Sequence, residues 1–175
     1  AGPATALQVI LDDAALWPPA AFLAAKVAEQ AARFARCHDT AYNLEPDLKD
    51  GPGGLRTLDL MRWLGRRVAQ AGDFAAMVAC DLLDATERAA LLRAQATLRR
   101  YRMALHLAAA RAQERLLFDY QRTLATLLGF EDEHAGNLGV ERFMQAYYRA
   151  ATIVERLGAQ LVERCTELLE DDAPL

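Results

Sequence analysis

One segment limits what this chain can fold into. Tyr42 to Arg56, read YNLEPDLKDGPGGLR, interrupts a sequence otherwise rich in alanine and leucine at helical spacing. Pro46 and Pro52 lack an amide donor and clash with a preceding helical turn, while Gly51, Gly53 and Gly54 open backbone conformations closed to other residues. The chain must leave the helix here. Leu55 then begins a new periodic apolar segment, which puts Gly53 and Gly54 where a loop enters a helix. Free backbone amides at that first turn are the expectation, and with them an anion site.

Apolar spacing on both sides of this break predicts helices. Pro18 and Pro19 suit the first turn of a helix running to about Cys37, with Leu23, Val27, Ala31 and Phe34 on one side. Lys26, Glu29, Arg33 and Arg36 fall on its other side, which reads as a solvated face. Leu55, Leu58, Met61, Leu64 and Val68 line a second helix ending near Gly72; Arg56, Asp59, Trp63 and Arg66 share another face, with Trp63 a core or interface residue. A short helix from about Phe74 to Cys80 leads to Asp84, an N-cap whose capping box Glu87 completes. From there to about Gln113, Leu91, Ala94, Leu98, Tyr101, Leu105 and Ala108 recur at spacings of three and four. A comparable seam runs through Val140, Met144, Tyr147, Ala151, Val154, Gly158, Leu161, Cys165 and Leu168, where Gly158 suits a close helix approach. Phe118 to Leu128 reads as a shorter helix stopped by Gly129, and Glu131 to Gly139 as a loop. No strand alternation and no internal repeat is present. The expected fold is all-α, an antiparallel helical bundle with long helices and one Gly/Pro-rich loop, because each apolar seam must bury against another helix.

At 175 residues, the chain reads as a single helical domain, 1–175. A net charge of −4 argues against a broad grip on nucleic acid. No apolar run approaches the roughly 20 residues a bilayer span needs, and the first residues lack signal-peptide character. A cytoplasmic setting, with neither membrane nor nucleic acid as partner, is expected. Cys37, Cys80 and Cys165 are far apart and odd in number, which fits reduced thiols, and His38, His106 and His134 show no metal-ligand spacing. No metal site is expected in this chain.

The residues Asn43-Leu44-Glu45-Pro46-Asp47, Lys49 and Gly51-Pro52-Gly53-Gly54-Leu55-Arg56 resemble the signature of the bacterial PII-protein uridylyltransferase/uridylyl-removing enzymes, the GlnD family. Phe22, Lys26, Glu29, Gln30 and Arg33 upstream are similar to that family in type and spacing. So are Arg115-Leu116-Leu117-Phe118-Asp119, Glu141-Arg142-Phe143-Met144 and Tyr147-Tyr148-Arg149 downstream. The likeness covers roughly Trp17 to Cys165. A shorter core, Lys49 with Gly53-Gly54 and Arg56, is shared with the sister glutamine synthetase adenylyltransferases, an alternative that the longer NLEP run and RLLFD disfavour. Thr57 stands where the family commonly has an acid, and Glu114 where an aspartate is usual.

The resemblance implies the central helical domain of a nitrogen-sensing enzyme that transfers UMP from UTP to a tyrosine of PII and also removes it. The segments Ala1 to Thr5 and Glu170 to Leu175 then read as the edges of a piece of a longer chain. A nucleotidyltransferase domain upstream and an HD domain downstream would be its neighbours. Transfer in this superfamily uses paired carboxylates on magnesium after a Gly-Ser turn, and this chain has no such turn. Glu45 with Asp47, and Glu131 with Glu133, are acidic pairs on loops, which are usually solvated. His38-Asp39 lacks the further ligands of an HD centre. No catalytic residue and no cofactor is therefore expected here; magnesium and UTP belong to the parent.

Two readings of the loop are open. In one, Lys49, Gly53, Gly54 and Arg56 contact the phosphates of a nucleotide, Arg56 contributing more than Lys49 because a guanidinium offers two donors. In the other, the glycines make a tight entry, Lys49 is solvated, and Arg56 pairs with Glu45, Asp47 or Asp59. Arg99, Arg102 and His106 form a basic stripe, with Arg115 following. That stripe, like Lys26, Glu29 and Arg33, is either a solvated face or a contact for a neighbouring domain or for PII. A helical interaction module without a nucleotide role is the reading from a different functional class.

Overall fold

The computed structural model describes Asp13 and residues 16–36, 43–132 and 138–171. Among these residues the chain forms six helices and no strand: α1 Pro19–Arg36, α2 Leu55–Ala69, α3 Phe74–Ala79, α4 Ala85–Ala109, α5 Phe118–Leu127 and α6 Gly139–Asp171. The all-α expectation holds. The reading of His38-Asp39, and those involving Cys37, Tyr42, Glu133 and His134, lie outside the described residues.

The 33 residues of α6 form the spine on which α4, α2, α5 and α1 pack. Its predicted seam from Met144 to Cys165 is buried, and Phe143 and Leu157 join it. Leu168 is exposed, because the last turns of α6 run past its buried stretch. On α4, Leu91, Ala94, Leu98, Tyr101 and Leu105 face the core as the spacing predicts. Ala108 does not: the helix ends at Ala109 rather than near Gln113, with Ala110 in the left-handed conformation at φ 51°. Likewise α2 stops at Ala69, short of Gly72, where Gln70 turns left-handed and donates its amide to the Gly65 carbonyl.

Close packing of α2 on α6 depends on Gly158, where a β-carbon would lie 2.7 Å from the Thr57 methyl group. Thr57 is buried against this contact. Tyr101 ties α4 to α6 by stacking on Phe143, with ring centroids 4.3 Å apart, and by donating its hydroxyl to the Phe143 carbonyl at 3.1 Å. Burial pushes the Tyr101 hydroxyl up to about 12.

The division of α1 into apolar and solvated sides needs correction. Ala31 is exposed, whereas Arg33, assigned to the solvated side, is 7% exposed and lies 5.5 Å from the Phe34 ring. Alanine offers too little area to decide which side of a helix turns inward, and the long stem of an arginine can cover apolar surface instead.

At its start, α4 carries the predicted capping box. Asp84 accepts from the Glu87 amide at 2.7 Å, and Glu87 accepts from the Asp84 amide at 2.9 Å. The same Glu87 carboxylate receives two bonds from Arg164 of α6, at 2.8 and 3.0 Å, and Arg164 also donates to the Leu82 carbonyl at 2.8 Å. One carboxylate thus caps a helix and fastens it to the spine. Arg164, and then the Asp84 amide, hold the Glu87 carboxyl below the usual carboxylate range.

A depressed carboxylate stabilises the fold above its unfolded value and loses that contribution as pH falls through the folded one. Glu87→Gln should therefore lower stability near neutrality by about 1–2 kcal/mol, the value of a charge-assisted pair reduced for its partial exposure. The deficit should shrink as pH drops below the carboxylate range. Urea melts of both proteins at pH 7 and pH 3 measure it; a deficit of equal size at both would refute the ionic account.

Candidate functional site

The Gly/Pro-rich segment folds back on the stretch between α4 and α5. Asp47 and Arg115 form an isolated antiparallel bridge, flanked by bonds from the Leu48 amide to the Glu114 carbonyl at 2.9 Å and from the Leu116 amide to the Pro46 carbonyl at 2.8 Å. Gln121 clamps the same junction from within α5, its amide nitrogen donating to the carbonyls of Leu44 at 2.7 Å and Leu116 at 3.0 Å. Glu45 accepts the Phe118 amide at 2.9 Å, so a loop carboxylate caps the start of α5. Farther along, Asp47 accepts the amides of Lys49 at 2.9 Å and Asp50 at 2.6 Å, which tightens the turn into α2.

The expected free amides at the start of α2 are not free. Gly54 donates to Gly51, Leu55 to Leu48, Arg56 to Lys49 and Thr57 to Gly54, at 2.9 to 3.0 Å. The loop satisfies its own helix, since a buried amide left without a partner would be costly. Gly53 and Gly54 are buried too. Gly53 adopts φ +68°, and a β-carbon there would overlap the Ala151 backbone of α6. These glycines serve close packing.

Arg56 and Lys49 part company. Arg56 donates to Asp50 at 3.3 Å, a partner absent from the three that the sequence suggested. Lys49 instead lines a cleft of about 490 Å³ together with Arg99, Arg102 and His106 of α4. The fold therefore joins the loop lysine to the basic stripe, which sequence reasoning had treated as separate regions. Arg115 leaves the stripe and donates to the Glu45 carbonyl at 3.2 Å on the other side of the bridge.

Inside the cleft, Arg102 grips Glu114 through two bonds, at 2.7 and 2.5 Å. Arg102, followed by burial acting in the opposite sense and then by His106 and Lys49, leaves the Glu114 carboxyl below the usual range. The Nε2 atom of His106 is buried without a hydrogen-bond partner and sits 3.7 Å from Glu114. Asp59 is the acidic side chain on the cleft wall, and Arg62 lies 3.8 Å from it. Gln95, also on the wall and 7% exposed, went unnoticed in the sequence. A glutamine four places after Leu91, on the buried face of α4, was the available signal; Gln121, three before Leu124 on α5, is the same kind.

A second cleft, of about 480 Å³, opens between the chain entering α1 and the outer face of α2. Trp17 and Trp63 are 43% and 37% exposed there, so Trp63 is no core residue. Lys26 lies 5.0 Å above the Trp63 ring and pairs with Glu29 at 2.7 Å. Among the described residues, no group of three or more His, Cys, Asp or Glu side chains could hold a metal ion.

The signature loop, clamped by the residues of the RLLFD stretch, lies within a matched region. Residues 21–162 match the profile of the GlnD PII-uridylyltransferase family. The chain belongs to this family. The GlnD relatives include the bifunctional uridylyltransferase/uridylyl-removing enzyme of Xanthomonas campestris pv. campestris (strain B100), 45% identical over 168 residues, which is 96% of this chain and 19% of that protein. The enzyme of the same name from Methylococcus capsulatus is 48% identical over 160 residues, 90% of this chain and 18% of its own length. That of Xanthomonas euvesicatoria pv. vesicatoria is 44% identical over 168 residues. The chain thus spans about a fifth of the length of these GlnD relatives. No solved structure matches it.

If Gly53 serves packing, Gly53→Ala should cost about 3 kcal/mol or more, combining left-handed strain with overlap on α6. Thermal melts of the two chains test this. An alanine variant as stable as the parent would mean that the close approach of loop and α6 is not required.

Proposed function

We propose that this helical domain is an accessory part of a PII uridylyltransferase/uridylyl-removing enzyme, where it helps to form the site at which UTP and PII meet and supplies no catalytic group. The observation that supports this most directly is the basic cleft beside the family's signature loop. Paired carboxylates of an upstream nucleotidyltransferase domain would hold magnesium on the triphosphate, and a downstream HD domain would remove UMP. The share of the relatives that lies outside this chain leaves room for both. This domain's contribution is positioning and charge stabilisation, the dominant factors in phosphoryl and nucleotidyl transfer. No described helix is long and apolar enough to cross a membrane, in keeping with a cytoplasmic enzyme acting on the PII regulatory protein.

Lys49 is better placed than Arg56 for a phosphate, because Arg56 is engaged with Asp50 while Lys49 faces the cleft. Gly53 and Gly54 hold the loop in place behind it. The exposed tryptophans around Lys26 suit contact with a neighbouring domain, as aromatic rings with a cation commonly do at interfaces. A purely structural module remains the competing reading, favoured by the self-satisfied amides of the loop.

The 175-residue chain mixed with PII, UTP and magnesium should neither transfer nor remove UMP. Turnover that survives contamination controls would overturn the accessory role. In the full-length enzyme, Lys49→Ala should raise KM for UTP about tenfold, the loss of one charge-assisted contact, and more than Arg56→Ala does. Unchanged UTP kinetics in both variants, with Arg56→Ala lowering thermal stability, would establish the loop as a brace.

A further inference from the structure

The cleft between Lys49 and α4 is lined by Lys49, Arg99, Arg102 and His106 against one carboxylate, Asp59, which lies 3.8 Å from Arg62. Of its basic side chains, Arg102 is neutralised by Glu114. Lys49 and Arg99 have no carboxylate within ion-pair distance among the described residues, and Arg99 further depresses Arg62, whose charge is disfavoured first by burial. His106 presents a buried ring nitrogen with no hydrogen-bond partner, next to a carboxylate that is already held twice by Arg102. Leaving such a group unmatched in a buried site is unfavourable, so an oxygen ligand would gain from reaching it.

We propose that this cleft is a binding site for a phosphoryl anion, held by Lys49, Arg99 and His106, with Glu114 fixing Arg102 at its wall. Three donors line the cleft, one from the loop and two from one face of α4. A phosphoryl group has three terminal oxygens to meet them, whereas a carboxylate has two in one plane and would leave a donor unmatched. The volume of about 490 Å³ falls in the range of small-molecule sites, roughly 300–1,000 Å³, and exceeds what a bare phosphate fills. Met103 and Leu107, 68% and 73% exposed at the cleft, offer apolar surface for the organic part of a phosphorylated ligand. Inorganic pyrophosphate and a nucleoside triphosphate share the required chemistry. The nucleotide arm rests on the function proposed above; the anion site itself stands on the cleft alone.

Calorimetric titration of the 175-residue chain with pyrophosphate, and separately with UTP, at fixed ionic strength tests the site. Arg99→Gln and Lys49→Gln should each weaken pyrophosphate binding about tenfold, the scale of one charge-assisted contact. Arg93→Gln, which removes the same charge from an exposed position of α4 outside the cleft, should not. Far-ultraviolet circular dichroism checks that each variant keeps its helices. Absence of heat with both anions, or equal weakening by Arg93→Gln, would overturn the proposal. UTP binding tighter than pyrophosphate assigns the apolar edge to a nucleoside; equal affinities assign the site to the anion alone. Should Arg99→Gln weaken pyrophosphate binding yet leave UTP kinetics of the full-length enzyme unchanged, the anion site stands and the nucleotide role falls.

Discussion

The architecture depends on one backbone contact, the approach of Gly53 to Ala151 of α6. No side chain can occupy that space, so the loop lies directly on the spine and the start of α2 is fixed beside it. From this follow the bonds from Leu55 and Arg56 to Leu48 and Lys49, and the bridge of Asp47 to Arg115. A glycine with φ +68° pays conformational entropy on folding, and the packing of α2, α5 and the loop around α6 offsets it.

Two carboxylates then set how α4 lies. Glu87 caps its first turn and receives Arg164 from the spine, while Glu114, beyond its last turn, receives Arg102 from within it. Both pairs are partly exposed, so each contributes modestly to stability and more to geometry. The second pair holds an arginine still at the wall of a cleft. It also gives Glu114 a defined place in the packing of α4.

Membership in the GlnD family and the local chemistry point the same way without repeating each other. The family match covers residues 21–162, yet the chain is about a fifth of its relatives' length. The described residues hold no cluster that could bind a metal. What they do hold is a concentration of positive charge beside the signature loop, in a chain whose net charge is −4.

Much of the helical layout was legible in the sequence. Leucine spacing on α4 and α6, the Asp84/Glu87 box, and the proline and glycine break before Leu55 are local signals, and each located its element to within a few residues. Pairing across elements was not legible. Nothing in the order of residues placed Lys49 beside Arg99, matched Arg56 with Asp50, buried Arg33 in preference to Ala31, or set Gln121 under the Leu44 carbonyl. Periodicity reports which side of a helix is apolar, and capping reports where it starts, because both arise within one or two turns. The clamps between the loop and the helices depend on contacts between residues some 50 to 100 positions apart, such as Gln121 with Leu44 and Tyr148 with Asn43, and these exist only once the helices have packed.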